Sequence, residues 1–145
     1  MIYDLSNSIG FHIARTRGAI GTTLNQKFRP FGVTVGQWAL LNYLSEENGI
    51  PPTKISEITF KDIPNTLRIL QKLEKKGLVS HEVNLPDRRS KLYYLTSEGV
   101  KLRDQLFPIG NAVMEKAVQG IDPAKVKEMK KMLADIFDNL SVKYF

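Results

Sequence analysis

A mainly helical fold carrying one small β-hairpin is what the 145 residues predict. Three observations carry that prediction. Apolar residues recur three and four apart in six separate segments, which is the period of a helix with one buried side. Between residues 79 and 95 the period falls to two, which is the period of a strand. The basic excess is local: residues 61–91 hold eight Lys/Arg against four Asp/Glu, whereas 1–60 hold five against four and 92–145 hold eight against seven. A concentrated cationic stretch suits a polyanionic partner, and a merely solvated face is the competing reading.

Residues 5–29 place Leu5, Ile9, Ile13, Ile20, Leu24 and Phe28 at helical spacing. This predicts a first helix, bent near Gly18–Gly21 and ended by Pro30. In VTVGQW, Thr34 and Gln37 have the spacing of a capping box, and Val33 and Trp38 that of a hydrophobic staple. A helix over 35–46 follows, carrying Trp38, Leu41 and Leu44 to a stop at Asn48-Gly49. Pro51-Pro52 reads as an extended link. Thr53 is expected to cap a short helix over 54–59 with Ile55 and Ile58 inward. A turn, TFKD, comes next.

Asp62 is expected to cap the helix over 63–76, with Pro64 in its first turn, where no internal donor is lost. Ile63, Thr66, Ile69, Leu70 and Leu73 share one side of it; Pro64, Arg68, Gln71, Lys72 and Lys75 share the other, with Leu67 on the flank. Gly77 stands at the closing position. Val79, His81 and Val83 then alternate with Ser80 and Glu82, and Leu92 and Tyr94 with Tyr93 and Leu95. These two strands flank the tip PDRRSK. Thr96 caps a helix over 97–119 with a stripe of Leu102, Leu106, Ile109, Val113 and Ala117, bent at Pro108 and Gly110. Asp122-Pro123 opens a last helix, stapled by Ile121 and Val126, with Val126, Met129, Leu133, Ile136 and Leu140 on one side.

A short helix, a tight turn and a second helix with a basic outer face form a helix-turn-helix, and the hairpin that follows makes it a winged helix. An α-helix with its side chains fills the DNA major groove. The residues expected at DNA are Lys61, Pro64, Asn65, Leu67, Arg68, Gln71 and Lys72 on and before the helix, and Arg88, Arg89 and Lys91 on the wing. Arg68 suits guanine and Asn65 or Gln71 adenine, while Leu67 faces either a thymine methyl or the core edge. Lys72 and Lys75 suit phosphates, which add affinity without sequence choice. A wing arginine suits the negative potential of a narrow minor groove. Pro86 and Asp87 shape the wing turn, and Asp87 is expected to pair with an arginine and steady it.

Several classes are set aside by composition. There is no cysteine, so thiolate catalysis, thiol-based sensing and cysteine-ligated zinc are excluded. No apolar run reaches the length of a membrane span. MIYDLSNSIGFHIARTRG lacks the pattern of a signal peptide, so a cytoplasmic protein is expected. The two histidines, His12 and His81, come with no phosphate loop, nucleophile elbow or metal-ligand spacing, and His81 sits on a hairpin face. Neither an enzyme nor a metal or cofactor site is expected. The alternative to DNA binding is a winged-helix module that binds a protein partner.

The runs NTLRILQKLEKKGLV and LPDRRSKLYYLTSEG resemble the signature of the MarR (multiple antibiotic resistance regulator) family of bacterial transcription regulators. The matched pieces are LEKKGLV at 73–79, the Asp-x-Arg of Asp87 and Arg89, and the Leu-Thr-x-x-Gly at 95–99. Arg89 matches the family's wing-tip arginine, and Arg88 is its variable neighbour. Leu67 stands where the family usually has a small or polar residue, and Gln71 where a negative or polar one is common. The resemblance covers the whole chain. It implies a homodimeric repressor of a pseudo-palindromic operator, with residues 32–98 as the DNA-binding part and 1–30 and 99–145 as intertwined dimerisation helices. It also implies a small, often aromatic and anionic effector bound between those parts. For that pocket His12, Arg15, Trp38 and Tyr43 are the candidates, each with a packing or solvated role as the competing reading. Uncovered apolar stripes at both ends favour association independently, and a two-fold dimer suits two half-sites.

Overall fold

The computed structural model describes residues 4–59 and 61–140. Phe60, within the expected TFKD turn, lies outside the described residues. The order is α1 (Ile9–Phe28), α2 (Val35–Glu46), α3 (Pro52–Thr59), α4 (Ile63–Lys75), β1 (Val79–Val83), β2 (Lys91–Leu95), α5 (Ser97–Ala117) and α6 (Pro123–Leu140). Short 3₁₀ turns at Leu5–Asn7 and Arg29–Phe31 flank α1. The hairpin is antiparallel, pairing Val79 with Leu95, His81 with Tyr93 and Val83 with Lys91.

The helix starts obey local chemistry. Ser8 caps α1 by accepting from the Phe11 amide. Thr34 accepts from the Gln37 amide while the Gln37 side chain accepts from the Thr34 amide, a complete capping box. Asp62 and Thr96 cap α4 and α5 with their side chains alone, accepting from the Asn65 and Gly99 amides. The Asp122 carboxylate accepts from the Ala124 amide at 2.8 Å where α6 begins. Gly77, with φ 72°, lets the chain leave α4 in a left-handed conformation that most residues resist.

Two apolar clusters hold the chain. One gathers Leu40, Leu41 and Leu44 of α2, Ile55 of α3, Leu70 and Leu73 of α4, and Leu78, Val79 and Tyr93 at the hairpin base. The other gathers Leu24 and Phe28 of α1, Val33, and Leu106 and Val113 of α5, with Trp38 packed against it. Trp38 and Phe28 rings lie 5.0 Å apart, and Trp38 seats over Gly110, where a Cβ would come within 2.7 Å of its ring. At the start of α5, a Cβ on Gly99 would meet the Leu78 carbonyl oxygen at 2.2 Å. The Gly of the Leu-Thr-x-x-Gly run is therefore a close-approach residue, joining α5 to the strand that follows α4.

Four expectations differ from what is found. α1 is continuous through Gly18 and Gly21, because burial of its second half (Leu24 and Phe28) outweighs about 1 kcal/mol of propensity lost per glycine. α3 starts at Pro52 rather than after a Thr53 cap: the Pro51 carbonyl accepts from the Ile55 amide, and proline fits a first helical position. α3 turns Ile55 and Ser56 inward and leaves Ile58 exposed. Ala117, expected in the α5 stripe, is exposed as well.

Candidate nucleic-acid interface

α3 and α4 meet through a buried polar contact. The Ser56 hydroxyl donates to Thr66 Oγ1 at 3.0 Å, and the Thr66 hydroxyl donates in turn to the Asp62 carbonyl oxygen at 3.0 Å. Both side chains are wholly buried. The pair fixes how the two helices cross, since an unmade bond there would cost about 1–3 kcal/mol. α4 thus buries Thr66, Leu70 and Leu73 and leaves Pro64, Arg68, Gln71, Lys72 and Lys75 exposed, with Asn65 and Leu67 half-buried at its edges. Arg68 Nη2 donates to Asn65 Oδ1 at 2.7 Å.

The hairpin is tied to the same helix. His81 on β1 hydrogen-bonds Glu74 near the end of α4, and its ring lies 5.6 Å from that of Tyr93. Burial, and then the Glu74 carboxylate, raise the Tyr93 phenol above its ordinary value of 10.0. At the far end, the tip closes on itself. The Asn84 amide donates to Ser90, that of Asp87 to Asn84, and that of Ser90 to Asp87, each at 3.0 Å. Arg88 and Arg89 stand in the middle of the last turn, both exposed. Asp87 takes a different partner from the expected one. Its Oδ1 accepts from the Arg89 backbone amide at 3.1 Å, so it steadies the turn rather than a guanidinium.

Of the eight cations in 61–91, none forms an ion pair among the described residues. Lys76 is committed to structure, donating to the Gly32 carbonyl and to Gln37 Oε1. Arg68 keeps its contact with Asn65, and the other six are left to water or to a ligand outside the chain.

A cleft of about 880 Å³ runs between α1, α2, the end of α3 and α6. Of the residues expected at an effector pocket, His12 and Tyr43 line it. Arg17 and Lys61 line it as well, from the two sides. Arg15 and Trp38 are not among its walls. At 100° per residue Arg15 sits about 200° around the helix from Ile13, whereas Arg17 is about 40° away. Helical phase alone could therefore have chosen Arg17. Trp38 is packed into the second core cluster, with its Nε1 buried and without a hydrogen-bond partner among the described residues. Among those residues no cluster of His, Asp or Glu could hold a metal ion, and no helix is long and apolar enough to cross a membrane.

The apolar stripe of α6 is present, but it buries nothing. Met129, Met132, Leu133, Ile136 and Leu140 are all exposed, as are Leu5, Ile9 and Phe107.

A sequence model of the MarR family matches residues 31–90, a span that takes in α2 to α4 and the wing tip. The fold recurs in solved structures. A MarR-family transcriptional regulator from Rhodococcus sp. RHA1 is 26% identical at a TM-score of 0.85, covering 93% of this chain and 97% of that one. CouR from Rhodococcus jostii RHA1, bound to p-coumaroyl-CoA, is also 26% identical at 0.85, covering 98% and 100%. MepR of S. aureus in complex with DNA shares the fold at 0.84 and 22% identity, covering 91% and 98%.

Proposed function

We propose that the chain is a regulator of the MarR family, whose sequence model and fold it matches, and that it is a homodimeric repressor that binds a pseudo-palindromic operator. Residues 32–98 bind the DNA; residues 1–30 and 99–145 form the dimer. α4 enters the major groove with Arg68, Gln71 and Lys72 facing it, and the wing lays Arg88, Arg89 and Lys91 along the minor groove or its phosphates. One observation carries this reading: the outer face of α4 and the wing tip are exposed and cationic with no ion pair among the described residues, while the inner face of α4 is buried. A solvated surface of ordinary make-up intersperses both signs of charge. Residues 61–91 instead hold eight positive against four negative side chains, with Arg68, Lys72 and Lys75 together on the outer face of α4.

The cleft supports release by a small anion. His12, Arg17 and Lys61 supply positive or proton-donating groups, and Tyr43 an aromatic wall. A small aromatic anion has matching chemistry, and CouR, which shares the fold, binds p-coumaroyl-CoA. Lys61 lines this cleft directly before α4, so an occupant there touches both the dimerisation helices and the entrance to the recognition helix. A ligand shifts the equilibrium only by its differential affinity for two dimer shapes.

Arg89→Ala tests the wing. Binding to a duplex selected from a random pool is expected to weaken about tenfold. The slope of log affinity against log salt should flatten by roughly one, because one phosphate-bound cation is lost. Unchanged affinity and slope would remove the wing from the interface.

A further inference from the structure

The contact between Arg68 and Asn65 assigns these residues unequal roles, an inference that rests on the DNA-binding reading above. We infer that Asn65 does not read a base but positions Arg68, and that the pair acts as one unit directed at a single guanine. Asn65 is in the first turn of α4, and its own amide is pinned by the Asp62 cap at 2.7 Å. That fixes where its Cβ leaves the helix. Its side-chain oxygen accepts from Arg68 Nη2 at 2.7 Å, one turn further on. Residues three apart on a helix face one another, so the bond needs no distortion.

Hydrogen-bonding capacity weights the two residues towards different roles. An asparagine that reads adenine accepts from the base N6 with Oδ1 while donating to N7 with Nδ2. Here Oδ1 already accepts from Arg68, so a two-point pairing with adenine would have to use its second lone pair and share that oxygen with the guanidinium. Arg68 is in the opposite position. A guanidinium carries five donors in a planar fork. One spent on Asn65 leaves enough for two parallel bonds to guanine O6 and N7. A long, exposed side chain loses rotamer freedom on binding. An arginine already held by Asn65 has lost part of it beforehand, and its fork faces one base step.

The pair also suits the sign of the surface. Asn65 supplies an acceptor without a negative charge. It can hold a cation against DNA without repelling phosphates.

The test is a base-preference profile, recovered by letting the full-length protein select duplexes from a random pool. Thermal melting of each variant controls for folding. Arg68→Ala is expected to erase one guanine preference per half-site. Asn65→Ala should weaken the preference at that same position by about tenfold and leave the other positions unchanged. The double variant should be no worse than Arg68→Ala alone, because coupled residues are non-additive. Asn65→Asp keeps an acceptor at the same reach but adds charge: overall affinity should fall while the guanine preference stays. The inference is overturned if Asn65→Ala erases an adenine preference at a neighbouring position and spares the guanine. A uniform loss with no change in preference, or a guanine preference lost in Asn65→Asp, would overturn it too. A wild-type protein that recovers no common sequence would instead overturn sequence-specific binding itself, and this inference with it.

Discussion

α4 and α6 are both amphipathic helices, and they resolve that property differently. α4 has 13 residues and buries Thr66, Leu70 and Leu73 inside its own chain. Its polar side is left over. α6 has 18 residues and a longer apolar stripe, yet buries none of them. Its apolar side is left over. A surplus cationic face calls for a polyanion. A surplus apolar face, continued on α1 and α5 by Ile9 and Phe107, calls for more protein. The two helices thus mark two places where the chain is incomplete, and the chemistry of each surplus names the class of what completes it. Folding of the winged part is finished within one chain, whereas α6 leaves its apolar stripe uncovered, the face that the proposed dimer would bury.

The largest effect expected from this contrast is on stability, at α4. Leu70 has no exposed surface and sits in the cluster that joins α2, α3, α4 and the hairpin base. Leu70→Ala should cost about 2–5 kcal/mol, the transfer loss plus the cavity, read by chemical denaturation. That cost should hardly depend on protein concentration. A strong concentration dependence would mean that the winged part is not self-sufficient.

A smaller effect, of the opposite character, is expected at α6. Ile136 and Leu140 are both exposed, so Ile136→Glu together with Leu140→Glu removes little packing within the chain. Helical circular dichroism should hold. Sedimentation should show single chains. Affinity for a two-half-site duplex should fall about a hundredfold, since linkage of two binding modules commonly supplies that factor or more. A single half-site should be bound as before. Double-Glu protein that still sediments as a pair would move the dimer interface away from this stripe.

What could be read in the sequence divides along the same line. The caps at Thr34, Asp62 and Thr96, the exit at Gly77 and the two strands of the hairpin are local, set by residues a few positions apart, and the structure has them. The outer face of α4 follows from helical phase alone. Contacts between elements left no such trace. Nothing in the spacing of Ser56 and Thr66, or of Glu74 and His81, announces that they bond, because the partners meet only once the helices have packed. Arg17 rather than Arg15 lines the cleft, and helical phase, which is local, already separates the two. α3 began earlier than expected because proline at its first position serves as a start as well as a link.

The finest test lies in α1, at Gly18. α1 runs through it without a break, and a Cβ built there meets nothing within 4 Å. In a lone chain Gly18→Ala should therefore stabilise the helix by roughly 0.5–1 kcal/mol, because alanine loses less backbone entropy than glycine on entering a helix. Melting at low protein concentration, where single chains prevail, should show that gain. At high concentration the proposed dimer would form. If the gain persists there, the partner stays clear of Gly18, and the second copy is held chiefly through α6. If it turns into a loss, the partner packs directly onto α1 at this residue, because a methyl would then fill space that the glycine leaves for another backbone. A loss at low concentration would be the adverse result: the empty space around Gly18 within the single chain would then be wrong, and with it the division between a self-contained winged part and ends that await a partner.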